Sequence, residues 1–136
     1  MNRTGVVWDS AFLDHLTDEG HPDHPRRLEP LYRQLQVPDL NHRYRTLSPR
    51  AATDEEIQLV HSPTYVNQVK ATASQAMSAL SADTLTCDRS CQTAALAAGG
   101  TIEAIRQVID GNLSHALVLA RPPGHHAERT RAMGYC

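Results

Sequence analysis

Aromatic side chains are scarce in this 136-residue chain, which has one Trp, one Phe and four Tyr. A core must therefore rest on Leu, Ile, Val and Ala. Cysteine is limited to Cys87, Cys91 and Cys136. An odd number leaves no complete disulfide framework, and the Cys87–Cys91 spacing is not the C-x-x-C of redox or zinc sites. The reading is free thiols in a reducing, cytoplasmic setting. No apolar run approaches the roughly 18 residues of a membrane helix, and the Met-Asn-Arg-Thr-Gly start does not open a secretory leader. The net charge is -2, with no Lys/Arg block of the kind that follows a phosphate backbone, so nucleic-acid binding by charge is not expected. Internal repeats and low-complexity tracts are also missing.

The composition that remains, 40% apolar and 21% charged, suits one folded domain over residues 1–136 rather than a disordered chain. Thr4 to Trp8 is a short apolar run and reads as a buried strand. Asp9 to Pro25, rich in His, Asp, Gly and Pro, reads as loop. Leu28, Leu31 and Leu35 share one helical face. Thr53 and Glu56 form a capping box for a short helix. Ser62-Pro63 opens another helix, with Tyr65, Val66, Val69 and Ala73 inward. Ser78 to Cys87 reads as an exposed loop. Ser90 reads as the N-cap of the longest helix, ending at Gly111, with Ala94, Ala98, Ile102, Ile105 and Ile109 as its apolar stripe. Gly99-Gly100 interrupts that helix at a cost of about 1 kcal/mol per glycine, so something must pack closely there. His115 to Ala120 is a second strand. This order predicts an α/β layout with two parallel, near-adjacent strands, and chemistry beyond their carboxyl ends.

At such an end stands Arg121-Pro-Pro-Gly-His-His-Ala-Glu128. Two prolines and a glycine make a stiff bend that presents two imidazoles, side chains suited to moving protons near neutral pH. On chemistry alone an exposed surface turn is the simpler reading. A metal shared by the pair fits least, because adjacent side chains on one loop diverge. The chain holds eight His in all; His21, His24 and His61 read as structural.

The whole string, continued by Ala132-Met-Gly-Tyr-Cys136, closely resembles the signature of class II-like histone deacetylases and bacterial acetylpolyamine amidohydrolases. Gly20-His-Pro-Asp-His-Pro-Arg-Arg-Leu28, Val60-His-Ser-Pro-Thr-Tyr-Val66 and Asp83-Thr84 resemble further segments of that family in the same order. The resemblance implies the N-terminal part of a single deacetylase domain, a partial three-layer α/β/α parallel-sheet fold of the arginase/deacetylase type. An arginase-like reading is disfavoured by the Pro-Pro-Gly-His-His run.

The resemblance also implies roles. His126 would be the general base that deprotonates a zinc-bound water, and His125 would assist it. Gly134 would offer its carbonyl to the substrate amide, Tyr135 would wall the acyl channel, and Asp83 would hold the substrate at the rim. Arg27 would sit beside the released acetate. Arg27 fits equally well as a loop tie, and Asp83 as a turn residue. Asp23 stands where the family usually has Glu, and Tyr135 where Phe is common. Zinc is the family's cofactor, but its Asp-x-His and Asp ligands would lie past Cys136, so no metal ligand is assigned. The chain alone is expected to bind no zinc and to be inactive, as a truncated form. The substrate of a completed site would be an acetylated amine, either acetyl-lysine or acetylpolyamine. The alternative is a non-catalytic module that oligomerises or binds a partner through an exposed sheet edge.

Overall fold

Val6 and Val7, at 4% and 0% exposure, mark the centre of the molecule. The structure, a computed structural model, describes residues 3–136; Met1 and Asn2, the first two residues of the Met-Asn-Arg-Thr-Gly start, lie outside the described residues. Strand β1 (Thr4–Val7) has a parallel neighbour on each side, β2 (Arg45–Leu47) and β5 (His115–Val118), in the order β2-β1-β5. Val6 is in register with Thr46 on one side and Leu117 on the other. A strand covered on both sides reads as unbroken Val rather than as an alternating pattern. The two strands expected from the sequence are thus parallel and directly paired.

Between these strands run α1 (Glu29–Leu35), α2 (Pro38–Asn41), α3 (Asp54–Gln58), α4 (Pro63–Ala71), the hairpin β3 (Met77–Ser81) and β4 (Thr84–Cys87), and α5 (Ser90–Ile109). The loop over residues 9–25 is tightened by 3-10 turns at Ser10–Leu13 and Pro25–Arg27. Val7, Phe12, Leu28, Tyr32, Leu47, Ala104 and Leu113 form one core cluster joining the sheet to α1 and α5. Each large side chain of this kind contributes about 1.5–3 kcal/mol by leaving water.

The capping box at α3 is present, with the Thr53 hydroxyl accepting from the Glu56 N–H and the Glu56 carboxylate accepting from the Thr53 N–H. The Gly99-Gly100 pair also meets its expected neighbour. The backbone at 49–52 crosses α5 there, with the Ala52 N–H donating to the Ala95 carbonyl at 2.8 Å. A Cβ on Gly99 would stand 2.1 Å from the Arg50 carbonyl oxygen.

Other expectations are corrected. Ser78 to Cys87 is not an exposed loop: it contributes to the β3–β4 hairpin, and Thr84, Thr86 and Cys87 are buried. Small hydroxyl side chains hid this strand, because Thr86 and Ser78 satisfy each other at 2.7 Å instead of facing water. Ser90 is not an N-cap. It is the first residue of α5, and its buried hydroxyl accepts from the Cys87 N–H at 2.8 Å. The face of α5 that packs inward carries Ser90, Thr93, Gly99, Gly100 and Ala104, whereas Ile105 and Ile109 are 53% and 78% exposed. On α1, Tyr32 rather than Leu31 turns inward. After α4, Thr72 is buried and Ala73 exposed. β2 escaped detection because only Leu47 of its three residues is buried.

Among the described residues no helix is long and apolar enough to cross a membrane.

Candidate active site

The chain leaves β5 through Leu119, whose N–H still donates to the Val7 carbonyl at 2.9 Å. The Leu119 carbonyl accepts from the Tyr32 hydroxyl at 2.7 Å, and burial raises that phenol to about 12. The strand end is therefore fixed before the bend begins. Past the bend, the His125 and His126 rings lie with centroids 4.1 Å apart and planes inclined by 53°. The pair does not diverge, contrary to the expectation for neighbours on one loop. Both residues are exposed.

The segment after the pair folds back onto it. Gly134 has φ +58, and a Cβ there would be 2.8 Å from His126 Cδ2 and 3.0 Å from Cγ. Glycine is required on both counts: the left-handed backbone and the ring pressed against it. The His126 N–H donates to Cys136 Sγ at 3.4 Å. The Gly134 N–H donates to Asp83 Oδ2 at 3.0 Å, across from the hairpin turn. Hydrogen bonds from Ser81, from the Gly134 backbone and from Thr84 hold the Asp83 carboxyl below its usual range. His126, Gly134 and Asp83, far apart in sequence, are thus one contact group.

Tyr135 follows at φ +67, half-buried, with its ring edge-on to His21 at 4.5 Å. Together with Pro122, Pro123 and Cys136 it lines a cavity of about 660 Å³ whose other walls include Val66 and Ile102. Arg27 lies outside the His126–Gly134–Asp83 group. Its Nη2 donates to Asp23 Oδ1 at 3.1 Å and its side chain is 58% exposed. His61 ties its Nδ1 to the Glu128 carbonyl at 2.9 Å, and His24 Nδ1 accepts from the Arg26 N–H at 3.2 Å.

Beneath the bend is a buried polar cluster that sequence reasoning missed. Arg121 is 0% exposed. Its Nη1 donates to the carbonyls of Phe12 at 3.0 Å and His15 at 2.9 Å, its Nη2 to the Asp23 carbonyl, and its Nε to Asp23 Oδ1 at 3.3 Å. Burial lowers the guanidinium's pKa, and the Asp23 charge opposes that. The signal was there: one charge between Leu119-Ala120 and Pro122-Pro123 has no solvated face to belong to.

His15, 3% exposed, shares a hydrogen bond with the Ser90 hydroxyl at 2.7 Å. Burial, aided by the nearby Arg121 charge, lowers its pKa to about 4 despite Asp23. The folded pKa lies below the unfolded value of 6.5, so the unfolded chain binds more protons between those limits. Stability is then full above pH 6.5 and falls as pH drops towards 4, by on the order of 3 kcal/mol. Urea midpoints at pH 7 and pH 4.5 will show this fall, and His15→Gln will reduce it. A pH-independent midpoint in the unsubstituted chain would exclude the buried neutral imidazole as its source.

Chemically, the group can move a proton at the imidazoles and orient a polar ligand at the Gly134 backbone. Among the described residues no group of three or more His, Cys, Asp or Glu side chains is arranged to hold a metal ion. A hydrolytic zinc site needs about three protein ligands. The described residues therefore do not by themselves make up a ligand set for the zinc implied by the resemblance.

The chain is similar to known proteins. The family model described as histone deacetylase domain matches residues 21–136. Histone deacetylase 5 of Arabidopsis thaliana is 33% identical over 146 residues, covering 100% of this chain and 22% of that protein. Polyamine deacetylase HDAC10 of Homo sapiens is 35% identical over 148 residues, covering 100% of this chain and 20% of that protein. The crystal structure of the HDA15 HD domain matches with a TM-score of 0.92 at 31% identity, over 99% of this chain and 39% of that one. The chain thus spans about a fifth of the length of these curated relatives. With the family model matching from His21 onward and the α/β frame superposing on a solved deacetylase domain, the chain belongs to the histone deacetylase family.

Proposed function

We propose that residues 1–136 supply the proton-transfer and substrate-positioning part of a site that hydrolyses acetylated amines, either acetyl-lysine or acetylpolyamine. The packing of His126 against Gly134, whose N–H is held by Asp83, carries this reading. In it, His126 takes the proton of the attacking water and His125 steadies the developing charge. The Gly134 carbonyl receives the substrate N–H, Tyr135 walls the acyl group and Asp83 fixes the rim. Arg27 attracts the acetate by charge. Three free thiols support a reducing, cytoplasmic compartment.

The test grafts residues 1–136 in place of the matching part of the HDA15 HD domain, with the parent domain assayed alongside on an acetyl-lysine peptide and an acetylpolyamine. The graft is expected to release acetate, and His126→Ala in it to lower the rate about 10²–10⁴-fold, the range for a general base. The 136-residue chain assayed alone is expected to hold zinc well below one equivalent and give no turnover. A well-folded graft on an active parent that turns over equally with and without His126 would reject the assignment of the base.

A second reading, association through the sheet edge, is favoured by one observation. Among the described residues the outer edge of β5 has no strand partner, and its Leu117 is 50% exposed. Open parallel edges invite pairing. Sedimentation equilibrium over a range of concentrations will show a homo-oligomer if the edge pairs; a monomer throughout removes that reading.

A further inference from the structure

The start of the bend that carries the histidines, and the segment that folds back onto it, are both held by residues 21–23. At the start of the bend, Arg121 is bonded to Asp23 through Nε and to the Asp23 carbonyl through Nη2. In the returning segment, the Tyr135 ring meets His21 edge-on at 4.5 Å. The two holds are joined within the segment, because the Asp23 N–H donates to His21 Nδ1 at 3.0 Å. An Nδ1 that accepts must be unprotonated, so the neutral ring carries its proton on Nε2. Tyr135 is bonded through the chain to Gly134, which presses on His126.

A closed circuit therefore runs Arg121, Asp23, His21, Tyr135, Gly134, His126 and back along the bend to Arg121. Tyr135 is a non-glycine residue at φ +67, a conformation that persists only where surrounding contacts hold it. The His21 ring is such a contact.

We propose that Arg121 and Asp23 are positioning residues, which act through His21 to set where Tyr135 and Gly134 stand against His126. Neither belongs to the His126–Gly134–Asp83 contact group, and both are almost completely buried. The proposal rests on the deacetylase reading for its purpose, but the coupling itself is a property of this chain. Asp23 also makes the device distinctive. Its Oδ2 has no hydrogen-bond partner among the described residues and lies 3.8 Å from His15 Nε2. The carboxylate is thus committed to Arg121 and Arg27 through Oδ1 alone. A longer Glu could fill the gap and keep the charge.

The test is histidine side-chain NMR on the full 136-residue chain, with circular dichroism as a check of folding. The His21 ring signals are expected to carry a ring-current displacement from Tyr135, lost in Tyr135→Leu. Asp23→Asn and Arg121→Lys are expected to reduce that displacement and to move the His126 ring signals, while Asp23→Glu restores both. A core ion pair without a positioning role would lower stability yet leave the His21 and His126 signals of the folded variants in place, and that result would overturn the proposal. If both variants unfold, His21→Ala decides, because it leaves the buried pair intact. It is expected to move the His126 signals, and unchanged His126 signals would reject the circuit. None of these readings depends on turnover. An inactive graft would therefore count against the deacetylase reading and leave the coupling standing.

Discussion

Arg121→Met is expected to lower the stability of the chain by about 3–5 kcal/mol, the cost of removing one partner from a buried ion pair. Methionine nearly matches the volume of the lost side chain, so packing alone would not produce such a loss. The damage is electrostatic. The Asp23 carboxylate, 3% exposed, would lose its buried countercharge and keep only the half-exposed Arg27. The carbonyls of Phe12, His15 and Asp23 would lose the donors that now satisfy them. Each orphaned buried acceptor costs about 1–3 kcal/mol before relaxation. Urea unfolding of the two chains at pH 7 gives the comparison. A loss under about 1 kcal/mol, the size of an exposed ion pair, would mean that water reaches this cluster. The paired change Arg121→Met with Asp23→Leu should recover part of the loss, since it removes the unpaired charge together with its partner.

Gly99→Ala is expected to destabilise by about 3 kcal/mol, at the upper end of overpacking costs. The sign is the informative part. In an exposed helix interior the same change stabilises by about 1 kcal/mol. Here the new Cβ would lie 2.1 Å from the Arg50 oxygen, 2.5 Å from the Ala52 nitrogen and 2.7 Å from the Ala51 carbonyl carbon. All three are backbone atoms, so no side chain can swing aside. The crossing segment must lift off α5, and the Ala52–Ala95 hydrogen bond goes with it. The ion pair of Arg50 with Glu56, whose carboxyl that guanidinium holds at about 2, sits at the same crossing. A neighbouring control is Gly100→Ala, whose Cβ would meet Pro49 Cβ and Val7 Cγ1 at 3.0 Å. Those approaches are at 3.0 Å against 2.1 Å at Gly99, so its cost should be smaller. Thermal or urea unfolding ranks the two, and a Gly99→Ala chain as stable as the parent would show that the crossing is looser than described.

Much of the fold was legible because its signals are local. The Thr53–Glu56 capping box, Pro63 at the start of α4, the buried Val6-Val7 run and the glycine pair of α5 each follow from a residue's own backbone preferences or from hydrophobic pattern. The failures share a cause. Ser78–Cys87 looked solvated because its inward residues are Thr and Cys, and only the far side of the hairpin shows that their hydroxyls have protein partners. The α5 stripe pointed to Ile105 and Ile109 because they are the larger apolar residues, whereas the sheet approaches along the smaller ones, Gly100 and Ala104.

The site divides in the same way. The sequence by itself determined that a proline–glycine bend would carry two imidazoles away from a strand end, and its motifs placed the chain among the deacetylases. Bend chemistry and motif spacing are written along the chain. Only the tertiary structure decided that Arg121 is buried against Asp23, that Asp83 holds the Gly134 amide 51 residues away, and that the two rings lie side by side. Those facts depend on which charged and polar groups meet in space. A buried charge chooses its partner by distance in space, and sequence order does not record that distance.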